Sequence, residues 1–146
     1  MLKIILDLFY CFIATLFFAL IMNAPKKTIL HSSLFAAVGY LIYINLSDSV
    51  SPTLGFFSGT AFIAMMGEIS ARKFKMPATI FIFPAVIPIV PGFGLYETML
   101  AIVQNNIFLA LEIGTNTILN IAAMAMAMAL VSILAGKIKY RKTKMF

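Results

Sequence analysis

The sequence predicts an all-α integral membrane protein with about five transmembrane helices, the fourth interrupted by proline and glycine. Three observations predict it. Of 146 residues, 62% are hydrophobic and 11% charged, with a mean hydropathy of +1.04. A soluble domain carries roughly 25% charged residues, so this chain cannot dress a core with a water-facing surface. Its apolar residues fall in runs of about 20, divided by short polar turns and cation clusters, which is the pattern of membrane spans. Between the third run and the last lies Pro77 to Tyr96, apolar enough for a bilayer yet holding Pro84, Pro88, Pro91, Gly92 and Gly94. Each proline removes a backbone donor and crowds the carbonyl four residues back. Broken backbone at lipid depth survives only when protein buries it or a wet cavity meets it.

Residues 1–146 read as one membrane domain with spans near 4–22, 29–46, 53–70, 78–103 and 113–135. The net charge of +6 comes from clusters beside the spans, so it signals topology and not nucleic acid. One cysteine, Cys11, excludes an internal disulfide, and one histidine, His31, argues against a His-based metal or haem site. No metal or other cofactor is expected. HExxH, GxSxG and GxGD are absent and the acids show no pairing distance, so the chain is not read as an enzyme.

The first run, Ile4 to Met22, is too long for a signal peptide and contains Asp7. Asp7, Cys11, Thr15 and Ala19 fall four apart, giving one smaller, more polar face. Asn23 to Lys27 forms a turn, and Ile29 to Leu46 the second helix. Thr53 to Ser70 is the third, with Gly55 and Gly59 as a GxxxG. Beside them Thr60, Ala64, Gly67 and Ala71 keep within roughly 60° of arc at about 100° per residue. Both patches are packing faces, because small residues admit a neighbouring helix to backbone contact. Glu68 and Arg72, four apart in the favoured acid-first order, suit either an ion pair or a gate.

Leu95 to Val103 resumes helical character after a break expected between Pro88 and Gly94, with Gly92 and Gly94 supplying the turn. Ile107 to Leu111 reads as a brief interfacial element. Ile113 to Ala135 is the last helix, and its stripe of Glu112, Asn116, Asn120, Met124, Met128 and Ser132 begins polar. Two asparagines on one stripe need partners in a neighbour, a ligand or water. With five spans, Lys26, Lys27, Arg72, Lys73, Lys75 and the tail from Lys137 share one side, and the positive-inside rule makes it cytoplasmic with the N-terminus outside.

The run P-A-T-I-F-I-F-P-A-V-I-P-I-V-P-G-F-G-L-Y-E-T-M resembles the motif region of the threonine/serine exporter (ThrE) family. The I-P-x-x-P-G-x-x-x-Y core from Ile87 to Tyr96 is its most specific part. Asn23 to Pro25, Gly59-Thr60, Arg72 before Pro77, and Thr115-Asn116 carry it more loosely. Over nearly its whole length the chain is similar to the short stand-alone (YjjB-like) form, equivalent to the C-terminal membrane half of single-chain exporters. The resemblance implies a bacterial inner-membrane exporter of small carboxylate metabolites, either threonine/serine-type amino acids or succinate, working with a larger membrane subunit. Combined with the broken span it suggests a substrate path along Pro88, Pro91, Gly92, Gly94 and Tyr96, with Asn116 and Asn120 opposite. Tyr96 is expected to close over the ligand. A membrane scaffold that stabilises or targets a partner is the competing expectation.

Overall fold

Six α-helices and one 3₁₀ turn make up residues 2–137, the part of the chain that the computed structural model describes. They are α1 (Leu2–Ile21), α2 (Lys26–Ser49), α3 (Pro52–Phe74), α4 (Thr79–Val86), the 3₁₀ turn (Ile87–Ile89), α5 (Gly92–Val103) and α6 (Ile107–Lys137). The helices α1, α2, α3 and α6 are each long and apolar enough to cross a membrane. The α4–α5 pair, bent by 54°, supplies a fifth crossing when counted as one span. The basic tail beyond Lys137 lies outside the described residues, as does the Lys3 side chain.

Helix ends follow local chemistry more than hydropathy. Pro52 occupies the first turn of α3, where its missing N–H costs nothing, and the Ser51 hydroxyl accepts from Leu54 N at 3.3 Å. Asn23, Lys75 and Asn105 close α1, α3 and α5 with left-handed φ values of 53°, 54° and 58°. One boundary expectation is corrected. Ile107 to Leu111 is not a separate interfacial element but the first turn of α6, capped by the Asn106 side chain accepting from Leu109 N at 3.3 Å.

The helix α3 is the hub, packing against α2, α4 and α6 on different faces. Toward α2 the backbones nearly touch. A Cβ at Gly59 would lie 2.8 Å from the Gly39 carbonyl oxygen, and one at Gly55 would lie 2.7 Å from that of Tyr43. The GxxxG face therefore belongs to α2, and Thr60, Ala64, Gly67 and Ala71 are all buried beside it. Gly67 receives Ile82 of α4. Phe35, Phe56, Ile63, Phe81 and Ile89 close the core around this crossing.

On its third face α3 runs parallel to α6. Thr53 meets Asn120, Glu68 meets Ser132 and Arg72 meets Ala135, with both numberings rising together. Parallel neighbours require the chain between them to return once across the layer, so α4, the 3₁₀ turn and α5 make one net crossing. The same register sets Lys26, Lys27, Arg72, Lys73, Lys75 and Lys137 at one end of the bundle. Replacing Gly59 with leucine should force α2 and α3 apart and cost about 3 kcal/mol or more. Thermal unfolding of the detergent-purified protein would show it, and an unchanged transition would refute the close crossing.

Candidate functional site

The break in the fourth span is an inverse γ-turn centred on Pro91. Val90 is extended (φ −55°, ψ 130°), as a residue before proline must be. Pro91 sits at φ −75°, ψ 59°, and the Gly92 amide donates to the Val90 carbonyl at 2.7 Å. No glycine among the described residues has positive φ. The expected glycine turn is thus corrected: Pro91 turns the chain, and Gly92 and Gly94 already lie inside α5. The amides of Phe93 and Gly94, in the first turn of α5, donate to no acceptor among the described residues.

The break sits at mid-depth. Ile82 packs into Gly67, and Ile89 comes within 3.4 Å of a Cβ built at Gly59, which itself abuts Gly39 in the middle of α2. Before the break, α4 and the 3₁₀ turn rest on α1, α2 and α3. After it, α5 packs on α6 alone among the described helices. Its seam with α6 is a reciprocal pair of contacts. Thr117 fills the space over Gly94, whose absent side chain lets it approach, and Thr98 stands against Gly114 at 3.1 Å from a built Cβ. The Thr98 hydroxyl donates to the Gly94 carbonyl at 2.6 Å.

The predicted path residues are only partly brought together. Pro88, Pro91 and Gly94 are half-buried at the break, and Gly92 is exposed with nothing within 4 Å of a built Cβ. Tyr96 is 62% exposed, two residues from Gly94 and so on the side of α5 turned away from α6. It does not close over the break. Asn116 is exposed next to Thr117, beside the first turn of α5. Asn120 faces α3 instead, its carbonyl oxygen accepting from the Thr53 hydroxyl at 2.9 Å. The polar stripe of α6 is therefore divided, with Asn120, Met124 and Ser132 on the α3 seam and Asn116 left open.

Glu68 and Arg72 do not pair; no carboxylate–guanidinium contact within 4.0 Å occurs among the described residues. This corrects the ion-pair expectation. The Glu68 carboxylate accepts from the Ser132 hydroxyl at 3.1 Å, and the Arg72 guanidinium donates to the Ala135 carbonyl. Both reach across to α6, where a cation near a helix C-terminus meets its dipole favourably. His31, near the same end, stacks edge-on against Phe74 with ring centres 4.9 Å apart. Sequence reasoning missed Thr53, Thr98, Gly114 and Thr117. A Gly-x-x-x-Thr from Gly94 facing a Gly-x-x-Thr from Gly114 was the available signal.

Residues 7–134 match the protein family described as "Threonine/Serine exporter, ThrE". The chain belongs to this family. An uncharacterised protein of Haemophilus influenzae is 28% identical to this ThrE-family chain over 109 residues, which make up 71% of the chain and 35% of that protein. The matched part thus spans about a third of that relative's length. No solved structure matches.

The α3–α6 geometry predicts where coupling resides. In double-mutant cycles on the purified protein, Glu68→Gln with Ser132→Ala should show a coupling of about 0.6 kcal/mol. Glu68→Gln with Arg72→Gln should show less than about 0.3 kcal/mol. The reverse ranking would restore the ion pair.

Proposed function

We propose that this chain is a subunit of a bacterial inner-membrane exporter of small carboxylate metabolites, threonine/serine-type amino acids or a dicarboxylate such as succinate. The carrying observation is the mid-depth γ-turn at Pro91 in a ThrE-family chain. Secondary transporters put broken helices at the midplane, with half-helix N-termini toward anionic groups and freed carbonyls toward cations. Here the first turn of α5 carries two free amides, and Gly92 leaves the space before them open. Pro88 has no N–H to return to the carbonyl of Pro84, which leaves an acceptor on the other leg.

Five spans form a thin enclosure, and the break is covered on only part of its circumference. A larger membrane subunit from the same family is therefore proposed to supply the other wall. The length of the Haemophilus influenzae relative, of which the match takes up 35%, supports this. The end of the bundle that carries Lys26, Lys27, Arg72, Lys73, Lys75 and Lys137 is proposed to be cytoplasmic, with the N-terminus outside. Transport without catalysis fits the family and the residues.

Efflux of labelled serine, threonine and succinate, measured from cells with the chain deleted and restored, tests the reading. Gly92→Ala adds a methyl that meets nothing, so it should leave membrane levels and assembly intact. Pro91→Ala releases the φ lock of the turn. Both are expected to lower efflux by at least about ten-fold, the loss of about 1.4 kcal/mol of path stabilisation. A scaffold subunit would instead lose assembly whenever it lost efflux. Wild-type efflux from both variants would overturn the proposal.

A further inference from the structure

Two buried side-chain polar atoms among the described residues have no hydrogen-bond partner, the hydroxyls of Thr15 and Thr60. Both residues are 0% exposed. Four other buried hydroxyls among the described residues behave differently. Thr28, Ser32, Ser33 and Thr117 each donate to a carbonyl three or four residues back in their own chain. An unspent hydroxyl in a dry interior costs roughly 1–3 kcal/mol, and a methyl in its place would cost nothing. Two such groups in one small bundle call for a reason.

Their placement is not scattered. Thr15 lies on α1 and Thr60 on α3, and both helices pack against the 3₁₀ turn. For Thr60 the register is explicit. Gly67 of α3 receives Ile82 of α4, and the helices are antiparallel. Seven residues make about two turns, so stepping back from Gly67 to Thr60 and forward from Ile82 to Ile89 keeps the same faces opposed. Thr60 therefore stands opposite Ile89, beside Gly59, whose built Cβ comes within 3.4 Å of that same side chain. It is buried next to the break, at mid-depth.

A carboxylate passing this level would find no cation of this chain. Lys and Arg are absent from Thr28 to Ala71 and again from Met76 to Gly136. Freed carbonyls at the break serve an ammonium but repel a carboxylate, which needs donors. The wholly buried donor left unspent on α3, among the described residues, is the Thr60 hydroxyl.

We propose that Thr60 is a substrate-binding residue whose hydroxyl donates to the carboxylate of the exported solute once the 3₁₀ turn moves off α3. The inference rests on the export reading above and names the side chain that recognises the solute at mid-depth. The pair Thr60→Val and Thr60→Ser separates it from packing. Valine keeps the shape and removes the hydroxyl; serine keeps the hydroxyl and removes a methyl.

Efflux of labelled serine and succinate should fall about ten-fold or more in Thr60→Val, as expected for one hydrogen bond to a charged group. It should stay within about three-fold of wild type in Thr60→Ser. The unfolding temperature of purified Thr60→Val should match or exceed that of wild type. A pure packing residue gives the opposite ranking, with valine tolerated and serine impaired. Wild-type efflux from Thr60→Val overturns the inference, and so does a lowered unfolding temperature, which would mean the hydroxyl is already spent within the fold. If deleting the whole chain leaves efflux unchanged, the export reading itself falls; if deletion abolishes efflux and Thr60→Val does not, only the role of Thr60 falls.

Discussion

In hydrocarbon every peptide group must find its partner within the protein, and an orphan costs several kcal/mol. Three prolines between Phe83 and Gly92 deny that partnership along one crossing. The surrounding structure is arranged to tolerate them. One leg of the crossing is sunk among α1, α2 and α3, where Phe81, Ile82 and Ile89 are almost wholly buried. The γ-turn at Pro91 returns one amide to one carbonyl over the shortest possible loop. What stays unpaired at the break, among the described residues, lies in the first turn of α5 and at carbonyls facing proline rings.

Such an arrangement needs a rigid support, and α3 provides it. Glycines bring its backbone against α2, where a side chain as small as alanine would collide with a carbonyl oxygen. Side-chain hydrogen bonds donated by Thr53 and Arg72 and accepted by Glu68 tie it to α6 along nearly its whole length. Close packing and interhelical polar contacts take the place of a hydrophobic driving force that lipid does not supply. The two legs of the broken crossing are thereby anchored to different walls, one to the α2–α3 pair and the other to α6.

Much of this was legible in the sequence. Long apolar runs announced α1, α2, α3 and α6, because lipid burial asks only for length and hydropathy. Proline spacing announced the interrupted crossing, and the Gly55 to Ala71 pattern announced a packing face. Boundaries were less readable. Helices continue into polar surroundings where hydropathy no longer marks them, so α2 begins at Lys26 and α3 ends at Phe74. Ile107 to Leu111 read as an element apart from the last helix, although Asn106 already offered a cap. Pairing between helices was the least readable of all. Nothing local to Glu68 says that its partner is Ser132 and not Arg72, since both are within reach of an acid on that face. Gly94 resembled a hinge, but its lack of a side chain serves Thr117. The buried hydroxyls of Thr15 and Thr60 look like any other threonines until their surroundings are known.

The separate anchoring of the two legs has a consequence for biogenesis. During synthesis α4 emerges when α2 and α3 are already in place to receive it, but it has only eight residues before the 3₁₀ turn. The helix α5 emerges next, and α6, its one neighbour among the described helices, has not yet been made. The packing of the fourth crossing thus cannot be completed in the order in which it is translated. Its second leg must wait, unsupported, until Gly114 and Thr117 arrive to close the seam.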